Sequence, residues 1–360
     1  MWDSFEFNLP ETATGPVDIY NVKSEPFKIY GLYNPCEPGV FKRMPVEVGE
    51  ATSENVRLLC TNTAGGRVRF KTNSTYIAVG AVYAPSKFPT PRAVTLSGIG
   101  AYCFDLYADN QFCSVMVPNR IEQNGSINNF VITEGKYESF YSFGQAKLRE
   151  ITINFPSFVD ISDVYIGLSE GSVVEKGNNY ANEKPVVFYG SSITNGACAS
   201  RPGNIYPNIL SRRLNMDYIN LGFSGSAKAE DAIIEYISGL PMSVFVFDYD
   251  HNAPSTDYLE ETHYSSLKKF RKVQPDTPII MLSRPNRCGG IKEVTERELI
   301  IKASYDKMIE NGDKNVFFIS GQEIYNKLDS EMMTIDGVHP TDLGFYCMAE
   351  AIEKIIKNIF

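Results

Sequence analysis

The stretch Val186-Val187-Phe188-Tyr189-Gly190-Ser191-Ser192-Ile193-Thr194-Asn195-Gly196 places an apolar run directly before a glycine and two serines. Four apolar residues bounded by a turn are typical of a short strand that is buried on both faces. The glycine permits a tight turn, so a serine at this point would project from the end of the strand. Similar apolar runs recur downstream, at residues 218–221, 244–248, 279–283 and 316–319.

Helical patterns separate these apolar runs, at residues 206–214, 227–238, 257–273, 294–311 and 343–359. In the fourth pattern, the spacing of the apolar residues predicts a buried face made by Leu299, Ile300, Ala303 and Met308. Alternating strands and helices predict a parallel sheet in a three-layer α/β domain. The functional residues of such a domain are expected at the carboxyl ends of the strands.

The first 170 residues have a different pattern, with short alternating runs and no helical period of useful length. In residues 67–72, for example, Val68 and Phe70 alternate with basic side chains, as in a half-buried strand. The runs lie at residues 56–60, 67–72, 76–83, 104–108, 113–117, 148–155 and 164–168. We therefore predict an all-β sandwich or jelly roll over residues 1–170, a polar linker over 171–184 and the α/β domain over 185–360.

Composition excludes several classes of protein. The 34 Lys and Arg residues against 43 Asp and Glu give a net charge of −9, with no basic run, so nucleic acid is not an expected partner. No apolar run approaches the roughly 18 residues of a membrane span, and the first residues lack the pattern of a secretory signal. The seven cysteines are scattered without a CxxC pair, which disfavours disulfides and structural zinc. We expect a soluble, cytoplasmic protein.

Chemistry is first indicated by Ser192 and by the segment Asp336-Gly337-Val338-His339 near the carboxyl terminus. A serine hydroxyl becomes a good nucleophile when a base takes its proton, and histidine serves as that base near neutral pH. Asp336 is close enough in sequence to orient the His339 ring. Of the other two histidines, His263 lies in an amphipathic helical pattern and is predicted to face solvent, whereas His251 lies in a loop.

Two further loops follow predicted strands. Residues 220–226 contain Gly225, and residues 248–252 end with Asn252. An enzyme that transfers acyl groups needs hydrogen-bond donors where negative charge develops on the carbonyl oxygen. A glycine backbone N–H and an asparagine amide would supply such donors.

Ser, Gly, Asn and His occur in this order, and the first three each follow a strand, which resembles the SGNH (GDSL-type) hydrolase superfamily. The resemblance implies that Ser192 is the nucleophile and His339, oriented by Asp336, its base. It also implies an oxyanion hole made by the Ser192 and Gly225 N–H groups and the Asn252 side chain. The resemblance implies a three-layer fold with a flavodoxin-like parallel sheet. It also implies that the enzyme needs no cofactor or metal.

The first domain adds to this resemblance. Cys103-Phe104-Asp105-Leu106-Tyr107 is similar to the Gly-x-Asp-Leu-Tyr signature of the β-sandwich that precedes one group of these hydrolases. Resemblance to that two-domain group implies that the protein is a carbohydrate esterase, which removes small acyl groups, especially acetyl. The expected partner is therefore a small-molecule or glycan acyl ester, and the oligomeric state is open.

Three motifs depart from the superfamily pattern. Ser191 stands where the Gly-Asp-Ser motif has Asp, and Cys103 stands where the sandwich signature has Gly. The third block reads Asp250-His251-Asn252-Ala253 rather than Gly-x-Asn-Asp. These changes leave the set of oxyanion donors open.

Other interpretations of the same residues stay open. We expect His251 and Arg284 to contact a polar substrate, with Arg287 as an alternative to Arg284. Transfer of the acyl group to an acceptor other than water would use the same acyl-enzyme, and a non-catalytic glycan-binding protein is a further alternative. A metal-dependent phosphoesterase is also possible, with a ligand set of Asp248, Asp250, His251, Asp336 and His339.

Overall fold

The computed structural model describes residues 5–13, 15–85, 96–118, 135–285, 291–325 and 330–360. The chain divides into two compact units. The first comprises Met1–Arg43, Thr61–Asn179 and Arg201–Gly203, and the second Met44–Cys60, Tyr180–Ser200 and Asn204–Phe360. This division differs from the predicted domains because residues 44–60 group with the second unit and 201–203 with the first.

The described part of the first unit forms two antiparallel sheets, one of four strands and one of six. In chain order the strands are β1 Val17–Asn21, β2 Lys28–Tyr30, β3 Arg67–Thr72, β4 Tyr76–Tyr83, β5 Phe104–Ala108, β6 Gln111–Met116, β7 Gly135–Ser142, β8 Arg149–Asn154, β9 Ile161–Ser169 and β10 Val174–Lys176. The first sheet has the order β1-β9-β4-β7. The second has the order β10-β3-β8-β5-β6, with β2 also paired to β3.

Both sheets of the first unit contribute side chains to one hydrophobic core. Phe70 of β3 pairs with Ile151 of β8 in one sheet, and Val79 of β4 pairs with Ile166 of β9 in the other. All four side chains are fully buried in the same cluster. Val68 and Phe70 face this core as the period-2 pattern predicts, but Arg67 and Arg69 on the other face are buried as well, so the prediction of a half-buried strand is wrong. The β-sheet character of this unit is confirmed.

Asp105, in the segment similar to Gly-x-Asp-Leu-Tyr, is a buried carboxylate on β5. It accepts hydrogen bonds from Asn154 Nδ2 at 2.7 Å and from the backbone N–H of Gly203 at 2.7 Å. It also forms an ion pair with Arg201 Nη1 at 3.2 Å. Asp105 thus fastens the Arg201–Gly203 segment within the first unit.

Two predictions for this half of the chain are wrong. Residues 56–60, predicted as a strand, belong mostly to a helix. Three short helices lie here, α1 Val46–Thr52, α2 Glu54–Leu59 and α3 Gly98–Tyr102. The Ser53 hydroxyl caps α2 by accepting a hydrogen bond from Val56 N at 3.4 Å, and such a cap favours a helix over a strand. The predicted linker 171–184 contains strand β10, which pairs with β3.

The second unit is built on a parallel sheet with the strand order β12-β11-β13-β14-β15. Its strands are β11 Asn182–Gly190, β12 Met216–Gly222, β13 Val244–Asp248, β14 Ile279–Leu282 and β15 Val316–Ile319. The first strand in the chain, β11, lies second in the sheet, between β12 and β13, and this 2-1-3-4-5 order is that of flavodoxin-like folds. The predicted fold class is therefore confirmed.

Helices cover both faces of this sheet. They are α4 Ser192–Asn195, α5 Tyr206–Leu214, α6 Asp231–Ser238, α7 Thr256–Val273, α8 Ile291–Glu310, α9 Gly321–Ile324 and α10 Asp342–Ile356. Val246 of β13 packs in one core with residues of α5 and α10. Phe245, which points to the opposite face, stacks on Phe270 of α7 with 4.6 Å between ring centroids. In the described ranges, no helix is both long enough and apolar enough to cross a membrane.

The predicted buried face of α8 is partly wrong. Leu299 is 62% exposed, whereas Val294, Arg297, Ile301, Ser304 and Met308 are buried. These buried positions follow the 3–4 spacing of a helix, but two of them are polar. The spacing of apolar residues therefore selects Met308 correctly but Leu299 and Ala303, which are exposed, wrongly.

Candidate active site

Ser192 lies where β11 ends and the short helix α4 begins. The Ser191 side chain caps α4 by accepting a hydrogen bond from Ile193 N at 3.2 Å. A Cβ atom at Gly190 would collide with the Thr194 side chain and with the backbone carbonyl of Asp248. Glycine is thus needed at the end of the strand, and the Ser192 side chain is held at the carboxyl edge of the sheet.

His339 and Asp336 reach Ser192 from a hairpin that spans residues 334–340, named here the Asp336 hairpin. Thr334 and Pro340 form its β-bridge, and Ile335 N donates to His339 O at 2.9 Å. Ser192 Oγ lies 2.9 Å from His339 Nε2. His339 Nδ1 lies 2.7 Å from Asp336 Oδ2. The structure therefore brings the three predicted residues into one hydrogen-bonded series.

Asp336 is further held by the backbone of its own hairpin. Its Oδ1 accepts hydrogen bonds from His339 N at 2.7 Å and Val338 N at 3.0 Å. Partial burial acts to raise the pKa of Asp336, but the hydrogen bonds from His339 and Val338 outweigh it, so the pKa is lowered. Asp336 is consequently well suited to remain an anion beside the imidazole.

Gly225 sits in a turn that follows β12. The turn is closed by a hydrogen bond from Ser226 N to Phe223 O at 2.9 Å, and Gly225 has a φ of +69°, which favours glycine. Phe223 N also donates to Gly190 O at 2.8 Å, which ties this loop to the end of β11. The predicted second block is thus fixed beside the strand that carries Ser192.

Asn252 ends a single 3₁₀ turn, Asp250–Asn252, that follows β13. Its Oδ1 accepts a hydrogen bond from Ala227 N at 3.2 Å, so its Nδ2 is the end of the amide that is able to donate to a bound group. Strands β12 and β13 flank β11 in the sheet, so the loops carrying Ser192, Gly225 and Asn252 all leave the same edge.

The two predicted substrate contacts have different surroundings. His251 Nε2 is buried and has no hydrogen-bond partner among the described residues. Burial, followed by the charges of Arg284, His339 and Arg297, lowers the pKa of His251 well below its usual value. Arg284 does not face solvent: its Nη2 donates to Asp250 O at 3.1 Å. Arg287 lies outside the described residues.

The prediction that His263 faces solvent is wrong. Its side chain is 1% exposed, and its ring stacks near Phe247 and Tyr249 at centroid distances of 5.0 and 5.9 Å. Burial lowers the pKa of His263 to about 3. The side chain occupies the apolar face of α7 as a neutral aromatic ring, although charged residues surround it in the sequence.

Several residues that position the site were not assigned this role from the sequence, where Asp248 was named only as a possible metal ligand. Asp248 is fully buried under α4 and accepts hydrogen bonds from Tyr206 OH at 3.2 Å and Thr194 Oγ1 at 3.3 Å. Asn220 Nδ2 donates to Thr194 O at 2.7 Å and so supports the same helix. The positions of Asp248 and Asn220 at strand ends were the only available sequence signal. Arg297 gave none, because it lies inside a helix.

The side chains named above as possible metal ligands are not grouped as a metal site requires. Within the described ranges, no three or more His, Cys, Asp or Glu side chains are grouped so that they could hold a metal ion. Asp250 is bound by Arg284 and Arg297, and Asp336 is bound by His339. The five residues proposed as ligands therefore do not form one ligand set.

Two family models match consecutive parts of the chain. Residues 183–357 match the GDSL-like Lipase/Acylhydrolase family model. Residues 17–174 match the model for the N-terminus of SGNH hydrolase-type esterases, named GxDLY. No curated protein sequence gave a significant match.

Among solved structures, a protein from Bacteroides ovatus ATCC 8483 described as a GDSL-like lipase is 26% identical, with a TM-score of 0.81 over 96% of this chain and 98% of that one. The salicylyl-acyltransferase SsfX3 from a tetracycline biosynthetic pathway is 15% identical, with a TM-score of 0.75 over 95% and 97% of the two chains. The acetyl xylan esterase Est2A from the rumen bacterium Butyrivibrio proteoclasticus is 13% identical, with a TM-score of 0.58 over 96% and 98%.

An all-β unit joined to a flavodoxin-like unit, with Ser, Gly, Asn and His at one sheet edge, defines a two-domain hydrolase of the α/β class. The chain belongs to the SGNH (GDSL-type) hydrolase superfamily, in the group that carries a GxDLY N-terminal domain.

Proposed function

We propose that this protein is a serine esterase that hydrolyses small acyl esters, in particular acetyl esters, on carbohydrates. The proposal rests chiefly on one observation, the hydrogen-bonded series from Ser192 Oγ through the His339 ring to Asp336, with links of 2.9 and 2.7 Å. A serine, a base and an orienting carboxylate at these distances are what acyl-enzyme formation requires.

In the proposed mechanism, His339 Nε2 takes the proton of Ser192 Oγ while Oγ attacks the ester carbonyl carbon. Asp336 accepts a hydrogen bond from the Nδ1–H of His339. This bond leaves Nε2 as the basic nitrogen and stabilises the imidazolium that forms. The Ser192 and Gly225 N–H groups and Asn252 Nδ2 bind the oxyanion of the tetrahedral intermediate. Its collapse breaks the bond to the alcohol oxygen, which takes the proton from His339. Water then hydrolyses the acyl-enzyme by the same steps.

The carbohydrate part of the proposal draws on the solved relatives. They include an acetyl xylan esterase and family two carbohydrate esterases. All are under 25% identical to this chain, so the likeness to them shows a shared fold only. We propose His251 and Arg284 as substrate contacts, because both belong to the loops at the carboxyl edge. The His251 Nε2 atom, buried without a partner among the described residues, is the group that a substrate hydroxyl would satisfy.

Acyl transfer is the second candidate. The salicylyl-acyltransferase has the same fold over 95% of this chain. The two reactions share the acyl-enzyme and differ in whether water or another acceptor attacks it, so they are separated by product analysis.

The first experiment compares initial rates on p-nitrophenyl acetate, butyrate and octanoate for the wild type and Ser192→Ala. We expect turnover of acetate that falls by about 10⁴-fold or more in Ser192→Ala, because removal of a serine nucleophile leaves only the oxyanion hole and binding. Ser238→Ala is the matched control, since Ser238 is a buried serine on α6 that donates to Ile234 O at 2.7 Å.

The same assay decides between the alternatives. Ser192-dependent release of p-nitrophenol without an equal release of acetate, in the presence of an added sugar acceptor, would favour acyl transfer. Glycan binding without turnover of any ester would favour the non-catalytic alternative and contradict the esterase proposal.

A further inference from the structure

The turn that carries Asn252 is held by an arginine from a distant helix. Arg297 of α8 is 2% exposed. Its Nη1 lies 3.1 Å from Asp250 Oδ1 and 3.3 Å from Asp250 O. Its Nη2 donates to Ala253 O at 2.7 Å. One guanidinium therefore contacts the backbone on both sides of Asn252.

A second arginine holds the same carboxylate. Arg284, in the loop after β14, donates from its backbone N–H to Asp250 Oδ2 at 2.9 Å and from Nη2 to Asp250 O at 3.1 Å. Asp250 itself is 1% exposed. A buried carboxylate with two arginines costs desolvation energy, so such a group is a weak means of gaining stability alone. Its geometric effect is to fix the turn Asp250–Asn252.

Fixing this turn bears directly on the oxyanion donor. Asn252 N donates to Tyr249 O at 2.9 Å, and Asn252 Oδ1 accepts from Ala227 N at 3.2 Å. These two contacts set the direction of Nδ2 only while the turn keeps its position. Preorganised donors of this kind are sensitive to displacements of about 1 Å.

We propose that Arg297 and Asp250 are positioning residues of the esterase reaction, holding the turn so that Asn252 Nδ2 points to the oxyanion. This proposal rests on the proposed serine esterase function. It also accounts for the third block of this chain, in which Asp250 stands two residues before Asn252 and Ala253 follows it. Neither Arg297 nor Asp250 touches the substrate in this account.

A matched control exists at the opposite edge of the same sheet. Arg271 Nε pairs with Asp313 Oδ2 at 2.7 Å, and both side chains are largely buried. Asp313 precedes β15, whereas the candidate active site follows the strands. Removing this pair by Asp313→Asn tests what the loss of an arginine–carboxylate pair does to stability alone.

The experiment is a double-mutant cycle on p-nitrophenyl acetate with Arg297→Lys, Asn252→Ala and the combined variant. Lysine keeps the charge but cannot bridge two carbonyls as a guanidinium does. We expect Arg297→Lys to lower kcat on the order of 10²-fold with KM changed less than about twofold. We expect Asn252→Ala to lower kcat by about 10²–10³-fold. In the Asn252→Ala background, Arg297→Lys should cost less than about threefold more.

A structural measurement accompanies the kinetics. The side-chain amide NMR signal of Asn252, assigned by its loss in Asn252→Ala, should shift in Arg297→Lys and stay unchanged in Asp313→Asn. If Arg297→Lys does not fold, Asp250→Asn takes its place in both measurements, because it removes the charge that Arg297 and Arg284 both bind.

Two results would overturn the positioning proposal. One is that Arg297→Lys lowers kcat by the same factor in the Asn252→Ala background as in the wild type. The other is that Arg297→Lys alone has the kcat of the wild type. Absence of any Ser192-dependent turnover in the wild type would instead contradict the esterase function. In that case an unshifted Asn252 signal would still overturn the positioning proposal, and a shifted one would support it.

Discussion

The Asp336 hairpin and the buried group under α4 place the same functional group in opposite environments. The Asp336 side chain is 33% exposed and accepts hydrogen bonds from two backbone N–H groups and a histidine ring. Asp248, with its partners Thr194 and Tyr206, forms what we name the Asp248 cluster and is fully shielded from solvent. Both carboxyls belong to the second unit: Asp248 is at the end of β13, and Asp336 is in a short hairpin.

The contrast shows how the surroundings of a carboxyl determine its use. Burial raises the pKa of Asp248 to about 7, although hydrogen bonds from Tyr206 and Thr194 oppose the shift and the charge of Asp250 adds to it. In Asp336 the hydrogen bonds prevail over burial and lower the pKa. Only Asp336 is therefore a dependable anion across the neutral range, as the partner of an imidazolium must be.

The largest expected effect compares Asp336→Asn with Asp248→Asn. We expect Asp336→Asn to lower kcat by about 10⁴-fold, because an amide can donate to Nδ1 and leave the proton on Nε2. Asp248→Asn should lower kcat by about tenfold or less, since a neutral isostere resembles the protonated carboxyl. The measurement is turnover of p-nitrophenyl acetate at pH 7. Equal losses in the two variants would show that the comparison is wrong.

The next expected effect is on the acid limb of the pH–rate profile. A protonated His339 cannot accept the Ser192 proton, so Ser192-dependent kcat/KM should fall about tenfold for each pH unit on the acid side. The lowered pKa of Asp336 keeps its carboxylate ionised there, so we expect a slope of one. Asp248 titrates near neutral pH, and its contribution is isolated by recording the same profile in Asp248→Asn. A flat profile between pH 5 and 8 would contradict His339 as the base.

The sequence predicted the fold and the candidate triad because both depend on local signals. Short apolar runs separated by helical patterns indicate buried parallel strands, and reactive residue types in the loops after them indicate a site. Ser192, Asp336 and His339 could be selected from two short segments, 190–196 and 336–339, because each segment combines a turn with chemically active side chains. Their contact then follows from the topology.

The residues missed from the sequence are those whose role depends on tertiary packing. Residues 56–60 form a helix because Ser53 caps it, and a short apolar run alone does not distinguish helix from strand. His263 is buried although its neighbours in the sequence are charged. Arg297 lies 47 residues from its partner Asp250, and a charge on a buried helix face is contrary to the pattern used to predict that face.

The smallest expected effect is on stability, and it distinguishes the two carboxyls by sign. A carboxyl whose pKa is raised in the folded state binds its proton more tightly there, so its contribution to stability is complete below its unfolded pKa, about 3.9, and is lost as pH rises to about 7. Asp336, with a lowered pKa, contributes stability that is lost only as pH falls below its usual pKa.

His251 and His263 also have lowered pKa values in the folded protein, but both are present in every protein compared, so their contributions cancel in the differences. The melting temperature of Asp248→Asn minus that of the wild type should therefore rise by a few degrees between pH 4 and pH 7. The corresponding difference for Asp336→Asn, measured with His339→Ala in both proteins so that no imidazolium pairs with Asp336, should stay flat in that range and change only at lower pH. A flat difference for Asp248→Asn would mean that its carboxyl is ionised throughout, and the contrast between the two environments would then fail.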